Sequence, residues 1–294
     1  YNSAHRYFVD GSPMTGDIDL GLSPGGDDNE STHTPNWRTM LVGTLGAGGK
    51  GYFVLDATDP STFTEINAPS MVKLDRTRGS AEPAPNCAVI TDTAEQNACN
   101  RAVQQDADIG HITVKPVKDE GNSMRATQIV RMNNNRWAVV LGNGINSTNQ
   151  RPVLIVQYLD GARDLRLIPA TNEPAGTGYA TDNGLASPRL IDLNGDSRPD
   201  VVYAGDNLGN LWKFDLTSAT EGEWKVAFGN NTPLFTARGP VTLTSTTRNQ
   251  VQPITAPPIV RANDRMMTVG TGTDAKTVAV GGMMVAFGTG RNVT

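Results

Sequence analysis

Cysteine, histidine and aromatic residues are scarce in this chain, and each scarcity removes a class of chemistry. The two cysteines, Cys87 and Cys99, stand at a spacing that suits neither a zinc site nor a redox C-x-x-C pair. His5, His33 and His111 are separated by loops and show no ligand spacing, so each reads as a surface or turn residue. No G-x-S-x-G nucleophile elbow occurs, and no RGD tripeptide, since Arg78-Gly79 is followed by Ser80. The run Gly46-Ala47-Gly48-Gly49-Lys50-Gly51 lacks the G-K-[ST] ending of a phosphate loop and precedes a strand instead of a helix. No apolar stretch approaches the roughly 20 residues that span a bilayer as a helix. Thirty acids against 25 bases give a net charge of −5 with no basic stripe among aromatics, which argues against nucleic acid as a partner. A charged-then-apolar leader is also missing from residues 1–10, where Tyr7-Phe8-Val9 already reads as a strand. The chain is therefore expected to begin inside a longer protein, with any targeting signal upstream.

What is abundant is glycine and proline, 31 and 18 residues, scattered between short apolar runs. That composition predicts many strands joined by tight turns. One pattern recurs: an apolar run ends in glycine and a turn follows. It appears as Met40-Leu41-Val42-Gly43, Val139-Val140-Leu141-Gly142, Val202-Tyr203-Ala204-Gly205 and Val285-Ala286-Phe287-Gly288. After the first three another strand follows, at 51–56, 152–158 and 210–216, so each pair reads as a hairpin whose glycine permits positive φ. Tyr52 and Val54 on one face are matched by Phe53 and Leu55 on the other, as in a sheet sandwiched between two others.

Residues 188–228 hold four predicted strands, at 189–191, 200–205, 210–216 and 223–228. In the third, Trp212, Phe214 and Leu216 alternate with Lys213 and Asp215. About 40 residues with four strands is the size of one propeller blade. Two further units fall at 6–64, stretched by a loop at 16–36, and at 111–169. A last unit at 253–294 stops before its third strand and leaves 283–290 without a partner. The expectation is an all-β fold: one modified β-propeller domain of four-stranded antiparallel blades over 1–294, quinoprotein-like, its ring incomplete, with an insertion around 76–106. A two-sheet sandwich also produces many short strands, but the repeated strand–glycine–turn–strand order favours the propeller.

Between two strands of the clearest unit lies Asp192-Leu193-Asn194-Gly195-Asp196-Ser197-Arg198-Pro199-Asp200, the D-x-N-x-D-x-x-x-D pattern of an EF-hand-like loop. Ca²⁺ takes six to eight oxygens, and alternate residues of a curled loop turn toward one centre. Asp192, Asn194 and Asp196 supply side-chain oxygens in this reading, Arg198 its backbone carbonyl and Asp200 the closing carboxylate. Three carboxylates about 4–5 Å apart repel by several kcal/mol per pair at an effective dielectric near 20. Only Arg198 offers nearby positive charge, and its side chain is displaced if its carbonyl ligates. Mg²⁺ is a poorer match because it demands a tighter octahedron. Ser197 replaces the usual glycine at position six and no glutamate stands at position twelve, so weak-to-moderate affinity is expected. The other reading is a hairpin loop of Asx turns without metal.

Asp92 and Glu95 have capping-box spacing, which predicts a short helix over 93–104 between the cysteines. The cysteines either form a bridge, worth about 3 kcal/mol across so short a loop, or remain free thiols. Asp27-Asp28-Asn29-Glu30 reads as a solvated acidic loop tip.

Residues 191–216 closely resemble the calcium-loop blade of PilY-type proteins from the tip of bacterial type IV pili. Further matches follow in the family's order: RYFVDGSP at 6–13, WRTMLVGTLGAGGKGYFVLDATDP at 37–60, PITAPP at 253–258 and AFGTGR at 286–291. The resemblance implies a calcium-binding C-terminal propeller, with Asp192, Asn194, Asp196, Arg198 and Asp200 as the metal ligands. It implies a cell-surface protein at the pilus tip, exported through the periplasm, an oxidising route that favours the Cys87–Cys99 bridge. It also implies minor pilins as partners, adhesion to host or abiotic surfaces through regions outside this chain, and control of pilus extension and retraction by calcium. No catalysis is implied. The F-V-L-D and W-K-F-D-L strands also resemble quinoprotein dehydrogenases, but a Cys-Cys pair is absent and the calcium loop lies in one hairpin. An integrin-like calcium propeller used for docking shares the hairpin loop.

Overall fold

The computed structural model describes residues 8–26, 33–78, 85–113, 115–122, 125–239 and 250–290. His5, Tyr7 and the acidic run 27–30 lie outside the described residues. Two four-stranded antiparallel meanders come first: β1 (Met14–Asp19), β2 (Trp37–Thr44), β3 (Lys50–Asp56) and β4 (Val72–Arg78), then β5 (Ile129–Arg131), β6 (Trp137–Gly142), β7 (Val153–Tyr158) and β8 (Leu165–Pro169). A third sheet contains β9 (Arg189–Ile191), β10 (Val201–Gly205), β11 (Asn210–Asp215) and β12 (Lys225–Val226), with β13 (Phe235–Thr236) also paired to β11.

The sheets stack face to face, which explains their composition. Ala138 to Gly142 in β6 and all of β7 are buried, so these strands are nearly continuous apolar runs. Because successive side chains point to opposite faces, Val139, Leu141 and Ile155 join a cluster with Met14, Met40, Val42, Tyr52 and Val54 of the first sheet. Val140, Leu154, Val156 and Tyr158 instead join Val202, Trp212 and Phe214 of the third. Each such side chain contributes about 1.5–3 kcal/mol on burial. Polar ties cross the same interfaces: Tyr52 Oη donates to Gln157 Oε1 at 2.8 Å, and Arg76 Nε to the same oxygen at 3.1 Å.

Several sequence expectations are corrected here. Phe8 and Val9 are exposed bends, not a strand. The first strand is instead Met14–Asp19, overlapping the start of the expected loop, and the fourth is Val72–Arg78, so the first sheet runs well past residue 64. The strand-terminal glycines Gly43, Gly142, Gly205 and Gly288 do not have positive φ; turn residues further on, such as Gly144 and Gly209, do. What demands glycine is space. A Cβ on Gly142 would lie 1.9 Å from the Ala186 carbonyl oxygen, and one on Gly205 2.3 Å from Ile254. Both neighbours belong to the segment that enters the next sheet.

The last unit is also different from expectation. The strand at 283–290 has its partner: β14 (Ile259–Ala262) pairs with β17 (Met283–Ala286), Ile259 opposite Ala286. Between them β15 (Met266–Val269) and β16 (Lys276–Ala279) form a separate exposed ribbon. β17, which runs into Phe287-Gly288, thus takes the second-strand position, and the ribbon is inserted in the first-to-second connection.

The helix Thr93–Asp106 forms as expected, two residues longer, with the Asp92 side chain accepting from Glu95 N at 2.9 Å. Cys87 and Cys99 are bridged across a Cα–Cα distance of 5.7 Å. This helix buries no residue, so the bridge acts locally. Cys87→Ser/Cys99→Ser is expected to lose about 3 kcal/mol in the insertion, read as faster amide exchange over Thr93–Asp106 with β6 and β7 unchanged. Collapse of protection in β6 and β7 would contradict a local role.

Candidate metal centre

The nine-residue loop is the connection from β9 to β10. Val201 pairs with Ile191, and Asp200 N donates to Ile191 O at 2.9 Å, so the loop's two ends are clamped together. Within it the polar side chains fold back on the backbone two to five residues ahead. Asp192 Oδ1 accepts from Gly195 N at 2.7 Å and Asn194 N at 3.1 Å, while Oδ2 accepts from Ser197 N at 2.7 Å. Asn194 Oδ1 accepts from Asp196 N and Asp196 Oδ1 from Arg198 N, both at 2.9 Å. Asp200 Oδ2 closes the circuit by accepting from Leu193 N at 2.7 Å. This is a chain of Asx turns, and the curl it imposes carries the backbone to φ +85° at Gly195 and +66° at Ser197. Ser197 therefore takes the position-six turn that the sequence assigned to it, at a strain on the order of 1 kcal/mol.

Asp192, Asn194 and Asp196 are exposed, Arg198 is half-buried and Asp200 is buried at 4%. Desolvation raises the Asp192 carboxyl, but the amides of Gly195, Ser197, Asn194 and Asp196 outweigh it and hold the group below the ordinary carboxylate range. The Arg198 guanidinium lies over the loop, with Nη1 3.4 Å from Asp196 Oδ2. Arg131 of the preceding sheet is a second nearby cation. Burial and repulsion from Arg198 hold it below the usual arginine range.

The donor set tests which ion suits the loop. It contains carboxylate, amide and carbonyl oxygens and no sulfur or imidazole, the chemistry of a hard cation. Among the described residues no three Asp, Glu, His or Cys side chains cluster as a metal group; the carboxylates of Asp192, Asp196 and Asp200 are turned to backbone amides and do not converge on one point. A carboxylate offers about four lone-pair sites, so the amide contacts leave capacity on Asp196 and Asp200. In donor type, the residues present are those a hard cation such as calcium takes. The same Asx turns form in the metal-free reading of the loop.

Two residues escaped the sequence reading. Asn133, in the turn between β5 and β6, reaches across to the loop's end, with Nδ2 3.0 Å from Pro199 O and 3.4 Å from Asp200 Oδ1. Asp206, directly after the recurrent Gly205, is fully buried. It accepts from Leu208 N, Asn210 N and Nδ2, Asn183 Nδ2 and Trp212 Nε1, all at 2.8–3.2 Å. The corresponding residue after Gly142, Asn143, is also fully buried and hydrogen-bonded, a signal visible only once the repeats are aligned. His33 Nε2 lies 2.7 Å from Asp19 Oδ2 and His111 Nδ1 lies 2.9 Å from Gly46 O.

Residues 96–293 match the family model of the PilY1 beta-propeller domain. The chain belongs to the PilY1 β-propeller family. It is 34% identical, over 247 residues, to a type IV pilus biogenesis factor PilY1 homolog of Xylella fastidiosa, which covers 80% of this chain and 13% of the relative. It is 31% identical to PilY1 of Pseudomonas aeruginosa strain UCBPP-PA14 over 92% of this chain and 19% of that protein. The crystal structure of the Pseudomonas aeruginosa PilY1 C-terminal domain aligns with a TM-score of 0.58 at 29% identity, over 96% of this chain and 44% of that one. The chain thus spans less than a fifth of the length of these curated relatives. The stacked four-stranded antiparallel sheets are blades of this propeller, and no closed ring forms among the described residues.

Proposed function

We propose that this chain is the calcium-binding propeller module of a type IV pilus biogenesis factor, and that it binds and regulates instead of catalysing. The observation that carries the reading is the 192–200 loop, with the side chains of Asp192, Asn194, Asp196 and Asp200 in one curled connection between the first and second strands of the third blade. In this reading Asp192, Asn194, Asp196, the Arg198 carbonyl and Asp200 hold Ca²⁺, and occupancy sets the loop's shape and charge. The whole protein would act at the cell surface after export through the periplasm, at the pilus tip with minor pilins. Loop occupancy would there control pilus extension and retraction, and through them adhesion and twitching motility.

The test begins with CaCl₂ titrated calorimetrically into the chain. One ion per chain should bind, with an affinity in the 10⁻⁴–10⁻³ M range of extracellular modules or somewhat tighter, and equal MgCl₂ should not compete. Asp196→Lys places an ammonium in the exposed loop and should abolish the isotherm without unfolding the chain. Introduced into the whole protein in cells, it should leave the protein exported but fix surface piliation and twitching irrespective of calcium. Wild-type calcium dependence in that strain would leave the loop a structural feature only.

A further inference from the structure

The calcium loop is not confined to its own blade. Its carboxyl-terminal end, Pro199-Asp200, is buried against the turn between β5 and β6 of the preceding blade. That turn is tight: Met132 N donates to Arg136 O at 2.8 Å, Asn135 N to Met132 O at 2.9 Å, and Asn135 sits at φ +64°. The side chain of Asn133 is thereby aimed across the interface. Its Nδ2 lies 2.9 Å from Leu216 O, 3.0 Å from Pro199 O and 3.4 Å from Asp200 Oδ1. Leu216 is fully buried, and its own N–H donates to Asp200 O at 2.8 Å. One amide group therefore gathers the last ligand of the loop, the residue before it and the end of β11.

We propose that Asn133 is a positioning residue of the calcium loop, coupling its occupancy to the packing of the two blades. The inference rests on the calcium reading of the loop. Asp200 is the ligand whose place is set from outside the loop, because Asn133, on a separate sheet, holds the Pro199 carbonyl beside it and the Leu216 carbonyl behind it and meets its carboxylate at 3.4 Å. Linkage makes the effect reciprocal: if the interface favours the binding geometry of Asp200, binding must favour the interface by the same factor. Asn134, next in the turn, donates to Tyr158 Oη, and Tyr158 donates to Glu221 of the third blade. The β5–β6 turn thus grips the third blade at a second point.

Two measurements test this on the folded chain: the Kd for CaCl₂, and the change in amide exchange of β5 and β6 when calcium is added. Asn133→Ala should raise the Kd roughly three- to tenfold, the worth of one hydrogen bond to a buried or charged acceptor. It should also remove the calcium-induced protection of β5 and β6. Asn133→Gln keeps the donor and should recover part of both, whereas Asn230→Ala, on the exposed surface, should change neither. If Asn133→Ala does not fold, Asn133→Leu replaces it: the size is kept, the donor is lost, no charge is added, and the same Kd increase is expected. Wild-type Kd together with undiminished protection in these variants would overturn the proposal while leaving the calcium site intact. A wild-type chain that takes up no calcium would overturn both.

Discussion

Asp200→Ala is expected to weaken calcium binding by at least about 100-fold, well beyond the roughly three- to tenfold expected of Asn133 outside the ligand shell. Asp200 is the one proposed side-chain ligand that is buried, at 4% exposure. Its Oδ2 is also what the Leu193 amide holds at 2.7 Å. The substitution therefore removes a charge from the ligand set and releases the start of the loop together. The backbone bonds of Asp200 to Ile191 and Leu216 do not involve the side chain, so the sheet should survive with a loss of about 1–3 kcal/mol. Asp28→Ala, far along the chain in sequence, should leave the isotherm unchanged. Equal calcium affinity in Asp200→Ala and wild type would remove this residue from the site. The loop also has a pH signature. Asp192 ionises below its ordinary value in the folded chain, so its contribution to stability is present above about pH 4 and lost as pH falls through the lowered value.

Asp206→Ala should be the most damaging single change to the fold, at about 3–5 kcal/mol or more. The carboxylate is fully buried, and the groups it serves come from the entry segment (Asn183), the β10–β11 turn (Leu208) and β11 (Asn210, Trp212). Each donor left buried without an acceptor costs about 1–3 kcal/mol, and alanine fills little of the space. The measurement is the urea midpoint, with Trp212→Phe as the partial case: it removes the bond from Nε1 at 2.8 Å and should cost about 1–2 kcal/mol. A midpoint for Asp206→Ala within experimental error of wild type would show that the network is dispensable. Burial pushes the Asp206 carboxyl up, against the pull of the amides and the indole.

Much of this molecule was legible one residue at a time. Alternation in 210–216 specified β11, the apolar run ending at Gly142 and the one over 152–158 specified a hairpin, and Asp92 marked the start of its helix. These are local signals, because pleat, burial and capping act over a few residues. The D-x-N-x-D-x-x-x-D spacing likewise specified the loop's curl and its oxygen donors, since Asx turns need only neighbouring backbone.

Tertiary structure decided the rest, in each case because the cause lies on another segment. The glycine that ends each second strand looked like a turn residue, but Gly142 and Gly205 are glycine because the entry segment of the next blade leaves no room for a Cβ. The partner of β17 is β14, beyond an inserted ribbon that sequence order hides. Asp206 reads as one more exposed turn aspartate until the fold surrounds it with donors from Asn183 to Trp212. Asn133 reads as one of three asparagines in a turn until blade packing sets it against Asp200. Local chemistry determined what the loop is made of; the stacking of separate blades determined what holds it, because those contacts join residues 67 and 83 positions apart.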